Sequence, residues 1–240
     1  MTLNAEMNDF SALTASRRST RAFTDREVPS EVLDAILADA TTAPSWSNTR
    51  AFRVALATGA RAQRLRERFG KLFDEEVEAY ARKAIDPDVE IPVPDGDFPV
   101  RKRYPDELRP AQIEVAKLLY GIYGVERGDI EGRNRVNRRN VTAFDAPVMG
   151  FVFVHEEMLP WSAMDAGLML QTLFLSAKSR GIDSCPVGIL ATWRAPVDEE
   201  FEIPEGYKFI TGFALGYADP DAPINSMQAP RPSIQLLEGK

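Results

Sequence analysis

The sequence predicts a mixed α and β domain with more helix than sheet. Apolar residues return at helical spacing in several stretches, while two compact apolar runs, at 147–154 and 208–217, have the density of buried strands. Helices and strands follow in mixed order, with four strands at most. The sequence contains neither G-x-G-x-x-G nor G-x-x-x-x-G-K-[ST], so the dinucleotide and P-loop fingerprints are missing.

Taken in order, residues 8–15 read as a short helix leading into Arg17, Arg18, Ser19 and Arg21. Pro29 and Ser30 open a clear helix, with Val32, Leu33, Ile36, Leu37 and Ala40 on one side and Pro44 as its stop. Residues 44–49 are a polar loop, and 52–57 alternate like a strand. Residues 60–84 form a long amphipathic helix carrying Ala62, Leu65, Phe69, Leu72, Phe73, Val77 and Tyr80 together. Between 85 and 110 there are six prolines, which forbid long helices and central strands. A loop of that length in a compact domain is functional or disordered. Helix returns at 111–123 and, as a basic segment, at 129–143. A long helix over 162–180 is apolar at Ala166, Met169, Leu170, Leu173, Phe174 and Ala177, and Gly181 closes it. The tail, 218–240, is proline-rich and extended. Its Ile224, Met227, Ile234, Leu236 and Leu237 have apolar surface to bury, as in a segment that wraps a partner.

The 240 residues are expected to form one domain that buries a full core without disulfides or metals. A hydrophobic fraction of 44% and a charged fraction of 27% exclude a disordered chain, a fibre and a disulfide scaffold. The net charge of −7 argues against uniform attraction to nucleic acid or an anionic membrane. Cys185 is the single cysteine, so an intrachain disulfide and a multi-cysteine zinc site are both excluded. The single histidine, His155, removes every metal site that needs two. The first ten residues lack a basic start and an apolar core, and the most apolar stretch, 161–177, carries Asp165 and Gln171. A soluble, cytoplasmic protein is expected, with no membrane or nucleic-acid partner.

Four constellations stand out. Arg17, Arg18, Ser19 and Arg21 put three guanidiniums and a hydroxyl in five residues, a set that grips phosphate or simply lines a solvated turn. Pro44, Ser45, Trp46, Ser47 and Asn48 offer hydroxyl, amide and backbone donors, or an ordinary helix stop. Pro186, Val187, Gly188 and Ile189 follow Cys185 on a backbone path that lets a flat ligand approach the main chain. Cys185 itself reads as a small core or lining residue, and His155 as a strand-end residue. Arg127, Arg133, Arg135, Arg138 and Arg139 read as a solvated helix, since aromatics are not interleaved among them.

Together these segments resemble the FMN-dependent nitroreductase family. The resemblance rests on Arg17-Arg18-Ser19-Thr20-Arg21-Ala22-Phe23, Pro29 with its helix, and Ala43-Pro44-Ser45-Trp46-Ser47-Asn48. It continues with Ala146-Pro147 before the apolar strand, Gly181-Ile182-Asp183-Ser184-Cys185-Pro186, and Gly212 to Tyr217, in family order over nearly the whole chain. Residues 85–140 look like the variable insertion over the active site in the branch that reduces nitrobenzoates and related nitroaromatics.

The resemblance implies an α+β sandwich, a central mostly antiparallel sheet flanked by helices, in an intertwined homodimer with FMN at each of two interfacial sites. Arg17 and Ser19, with Arg18 beside them, would hold the phosphate and ribityl region, and Arg21 would face the pyrimidine edge of the flavin ring. Pro44, Ser45, Trp46 and Asn48 would come from the other subunit. Pro186, Val187, Gly188 and Ile189 would line the flavin, with the Gly188 N–H at N5, and Arg231 would close on the phosphate. Arg21 and Gly188 would thus be the catalytic pair. Chemistry supports the assignment: the phosphate charge cannot be buried unpaired, and a fixed cation stabilises reduced flavin as an anion.

The expected activity is NADH- or NADPH-dependent, two-electron ping-pong reduction of a small nitroaromatic acceptor to nitroso and hydroxylamine products. The alternatives are a quinone or activated-alkene reductase with the same flavin site, or a non-catalytic FMN-binding protein. Tyr104, Tyr120, Tyr123, Arg103 and Arg109 are the insertion residues expected to select the acceptor.

Overall fold

The computed structural model describes residues 5–239. The expectation of no leader rests partly on residues 1–4, which lie outside that range. Helix α1 (Ala5–Ser16) and helix α2 (Ser30–Ala40) precede strand β1 (Phe52–Thr58) and the long helix α3 (Gly59–Lys83). Helices α4 (Arg109–Ile122) and α5 (Ile130–Val141) lead to β2 (Val148–His155), α6 (Trp161–Ser179), β3 (Asp183–Val187), the short α7 (Ala195–Asp198) and β4 (Tyr207–Gly216). The strands form one sheet in the order β1-β2-β4-β3, and every neighbouring pair is antiparallel. This is the expected α+β sandwich.

The core lies on both faces of that sheet. Met149, Phe151 and Phe153 of β2 pack with Leu65 and Phe69 of α3 and with Leu190 and Phe209. On the other face, Val148, Val152 and Val154 pack with Ile36 of α2, Leu173 and Phe174 of α6, and Phe213. Because β2 is central and covered on both sides, it reads as a continuous apolar run rather than an alternation. Gly150 is required by its neighbour: a Cβ there would overlap the ring of Phe213, its partner in register on β4.

Three boundaries differ from the sequence reading. Helix α2 ends at Ala40, before Pro44, because the hydroxyls of Thr41 and Thr42 donate to the carbonyls of Ala38 and Asp39, at 2.6 and 2.8 Å. Helix α5 stops at Val141, where Ala143, Phe144 and Asp145 adopt left-handed φ of 51°, 58° and 58°. The tail is divided: Ile224 and Met227 are buried against Ala22, while Ile234, Leu236 and Leu237 stand in solvent. Gly181, with φ of 75°, closes α6 as read. No helix among the described residues is long and apolar enough to cross a membrane.

Candidate functional site

The site is built along β3, at the edge of the sheet. Residues 17–21 run beside this strand: Ser19 and Ser184 form a parallel bridge, and the Thr20 N–H donates to the Ser184 carbonyl at 3.0 Å. Asn225, at the start of the tail, holds the same segment. Its Oδ1 accepts from the N–H groups of Arg21 and Ala22 at 2.9 and 3.2 Å, and its amide donates to the carbonyls of Ala22 and Asp219. The tail then brings Arg231 back, where it donates to the Arg17 carbonyl at 2.6 Å.

The result is a cleft of about 330 Å³ lined by Arg17, Arg18, Ser19, Arg21 and Arg231, with Met227 and Gln228. Five residues proposed from sequence therefore meet in one place. Among the described residues none of these four arginines forms an ion pair, and the lining has no carboxylate. Burial, together with repulsion from Arg231, lowers the Arg17 guanidinium's pKa below its ordinary value. This is a cationic site, and its donors fit a phosphate. Among the described residues the buried Tyr123 Oη, Arg139 Nε and Ser184 Oγ have no hydrogen-bond partner, and none of the three residues lines the cleft.

Cys185 lies on β3 beneath this segment. Burial pushes its thiol up to about 11, against the pull of Arg21, Ser19 and Arg17. A thiol so poorly ionised makes a poor nucleophile. His155 ends β2 with its ring against the edge of Tyr207, and neither cavity of the site includes it.

At the other end of β3, Pro186, Val187, Gly188 and Ile189 line a second cavity of about 490 Å³. Four residues of extended chain from Ser184 to Gly188 span about 13 Å, so the two cavities lie at opposite ends of one strand. A Cβ on Gly188 would approach nothing nearer than Thr211 Oγ1, at 3.9 Å. The far wall comes from α3 (Phe73, Glu76, Val77, Tyr80), from Arg101, and from Asn134, Asn137, Asn140 and Val141 of α5.

The third set sits elsewhere. Pro44, Ser45, Trp46 and Asn48 line neither cavity. Their loop is held by α6: the buried carboxylate of Asp165 accepts from the Trp46 N–H with both oxygens, at 3.0 and 3.1 Å, and Trp46 stacks on Trp161 at 4.6 Å. Ser47, Asn48 and Arg50 all have positive φ, a local strain that this anchoring maintains.

Sequence reasoning missed Asp165, Arg101, Glu76 and the asparagines of α5. A buried carboxylate on the apolar helix α6 was a usable signal, as was the spacing of Asn134, Asn137 and Asn140. The arginines of the same helix drew attention instead, and Arg138 pairs with Asp74 of α3. Of the insertion residues expected to select the acceptor, Tyr104, Tyr120, Tyr123, Arg103 and Arg109 line neither cavity. Tyr123 packs beside the cationic cleft, with Ala22, Ile224 and Met227.

Comparison with known proteins identifies the class. Residues 14–217 match the nitroreductase family, and the chain belongs to it. It is 33% identical to a 4-nitrobenzoate reductase of Pseudomonas putida, over 95% of this chain and 93% of that one. It is 31% identical to a chloronitrobenzene nitroreductase of Comamonas testosteroni, over 93% and 92%. Among solved structures it superposes with a TM-score of 0.80 on the FMN- and NADPH-dependent nitroreductase NfnB of sphigopyxis sp. strain HMH, at 29% identity, covering 96% of this chain and 99% of that one. The FMN-dependent nitroreductase NfnB of Mycobacterium smegmatis, solved with NADPH, matches with the same score at 28% identity, covering 95% and 96%.

Proposed function

We propose that this protein is an FMN-dependent nitroreductase that uses NADPH or NADH to reduce nitroaromatic compounds. The observation that carries the reading is the cationic cleft at one end of β3, with Gly188 opening a second cavity at the other. When bound, FMN would supply two-electron hydride chemistry. Arg17, Arg18, Ser19 and Arg231 would hold its phosphate end, the three arginines supplying charge and Ser19 a hydroxyl. Arg21 would hold a permanent cation beside the ring and stabilise negative charge there. The Gly188 amide would orient the flavin, and the open space beside it would admit a flat donor or acceptor in turn. An acid or base from the protein is not needed, since water supplies the protons, in keeping with a chain whose one histidine lies away from both cavities.

A second copy completes the site in this reading. The loop 44–48 lies away from both cavities of its own chain, and its exposed Trp46–Trp161 stack adjoins exposed Met164 and Leu168 on α6. The exposed Ile234, Leu236 and Leu237 are a further apolar segment for a partner to cover. The reading places the homodimer in the cytoplasm, where its nicotinamide donor is made, and assigns residues 85–140 to the acceptor side of the flavin.

The experiment is direct. Purified protein should carry a flavin absorption spectrum, oxidise NADPH or NADH, and do so faster when a nitroaromatic is added. Flavin-loaded protein that oxidises neither nucleotide would instead be a binding protein. Light scattering should give a dimer at micromolar concentration, and FMN held tightly by a monomer would remove the second copy from the site.

A further inference from the structure

The cavity beyond Gly188 contains one acidic and one basic side chain, and they are paired with each other. Glu76, 4% exposed on α3, accepts from Nη1 and Nη2 of the Arg101 guanidinium, with Nη2 to Oε2 at 2.9 Å. Arg101 is the only partner of this carboxylate among the described residues. The remaining walls are apolar or amide: Phe73, Val77, Tyr80, Val141 and Ile189 on one hand, and Asn134, Asn137 and Asn140 on the other. None of the three asparagine amides is engaged in a hydrogen bond among the described residues, so their donors and acceptors are free for a ligand.

Arg101 is not a casual surface residue. The proline-rich segment before it is fastened to the turn that follows Gly188. The Asp95 carboxylate accepts from the N–H groups of Arg194 and Ala195 at 2.7 and 2.9 Å, and the Gly96 N–H donates to the Thr192 carbonyl at 3.1 Å. Asp97 accepts from Arg194 Nη1 and from the Phe209 N–H, both at 2.7 Å. A Cβ at Gly96 would overlap the Ala191 carbonyl, so the strap lies directly on that turn. These anchors deliver Arg101 to Glu76.

We infer that the Glu76–Arg101 pair makes this an acceptor site for uncharged nitroaromatics and disfavours those that carry a carboxylate. The inference rests on the reductase reading above and adds the substrate class. Among the described residues lining this cavity an anionic acceptor has one cation to turn to, and both oxygens of Glu76 are already bonded to it. Drawing Arg101 away would leave a buried carboxylate uncompensated, and sharing it would place two anions on one guanidinium. An uncharged acceptor meets apolar walls for its ring and amide donors for its nitro oxygens, at no electrostatic cost. Glu76 thus determines specificity through Arg101.

The test compares 4-nitrobenzamide with 4-nitrobenzoate, two acceptors of one shape and different charge, on the flavin-loaded protein. With NADPH as donor, kcat/KM should favour the amide by about ten-fold or more, the scale of one charge-assisted hydrogen bond. In Glu76→Gln, Arg101 loses its partner and the ratio should move at least about ten-fold toward the carboxylate. In the Glu76→Gln/Arg101→Gln double variant it should return to favour the amide. Each ratio is internal to one variant, so partial loss of folded protein does not affect it. The same two compounds are titrated into oxidised protein without donor, and the perturbation of the flavin spectrum gives a ratio of dissociation constants independent of turnover. A wild-type preference for the carboxylate, or a ratio unmoved by Glu76→Gln, overturns the inference while reduction of both compounds upholds the reductase reading. If the binding ratios behave as stated but neither compound is reduced, the pocket assignment stands and the reductase reading falls.

Discussion

The two cavities at the ends of β3 handle charge in opposite ways. The cleft at Arg17, Arg18, Arg21 and Arg231 gathers cations with no counterion among the described residues, and burial, with repulsion from Arg231, lowers the pKa of Arg17. The cavity at Gly188 has one cation and one anion, and each is spent on the other. The first, in the proposed reading, discriminates by charge in favour of an anionic ligand. The second is electrically closed and discriminates by shape and by neutral hydrogen bonds. A single arginine therefore has a different meaning in each place: in the cleft it is binding energy held for a ligand, and in the cavity it is compensation for a carboxylate that could not otherwise be buried.

Substitutions can break this contrast. Arg17→Ala should weaken FMN binding by about 1.5–3 kcal/mol, or roughly 10- to 150-fold, in a fluorescence titration of flavin-free protein. Its effect on the unfolding of that flavin-free protein should be within about 0.5 kcal/mol, since Arg17 is under repulsion there. Arg101→Met should behave in the reverse sense. It leaves Glu76 buried and unpaired, and because Arg101 is itself half exposed the cost should be about 2 kcal/mol of stability, seen as a fall of about 4–8 °C in thermal unfolding. FMN affinity should barely change. Equal losses of flavin affinity in the two variants would erase the distinction between the cavities.

A smaller effect is expected at the loop that belongs to neither cavity. Asp165→Ala leaves the Trp46 N–H without its acceptor and should cost about 1–2 kcal/mol in thermal unfolding, with Asp165→Asn between the two because one acceptor oxygen remains.

The smallest effect is expected at Cys185, between the two sites. Cys185→Ser should leave turnover nearly unchanged, and loss of activity with flavin still bound would make the thiol a participant. Its titration has a definite sign. Burial raises the folded-state pKa from 9.0 to about 11, so the stability associated with the protonated thiol is fully present below 9.0 and is lost as the pH rises toward 11. A pH series of denaturant unfolding should show this decline in the wild type and a shallower one in Cys185→Ser.

Much of this architecture was legible in the residues. The apolar run at 147–154 announced a strand buried on both faces, and β2 is that strand. Gly181 marked the end of α6, and the proline density at 85–110 marked a segment without helix or strand up to Leu108, where α4 follows. The phosphate-like cluster was legible too, because charge and hydrogen-bonding capacity are concentrated in five consecutive residues. Arg231 joined it only through resemblance, since 210 residues of chain separate it from Arg21 and the tail's path is set by Asn225 bonding back to Arg21 and Ala22. The helix stop at Ala40 was misread because two threonine hydroxyls, rather than the proline, end the α2 backbone ladder.

What the sequence determined alone was the set of elements, the two-faced core of the sheet and the presence of a local cluster of arginines at 17–21, since each depends on residue type and on neighbours a few positions away. The tertiary structure alone decided that Glu76 and Arg101 neutralise each other, that Asp95 and Asp97 fasten the strap that brings them together, and that Asp165 anchors the loop at Trp46. These pairings join charges that are far apart along the chain, or that have several candidate partners of opposite sign. Which partner a buried charge takes is decided by the path of the backbone, through desolvation costs that no local pattern encodes.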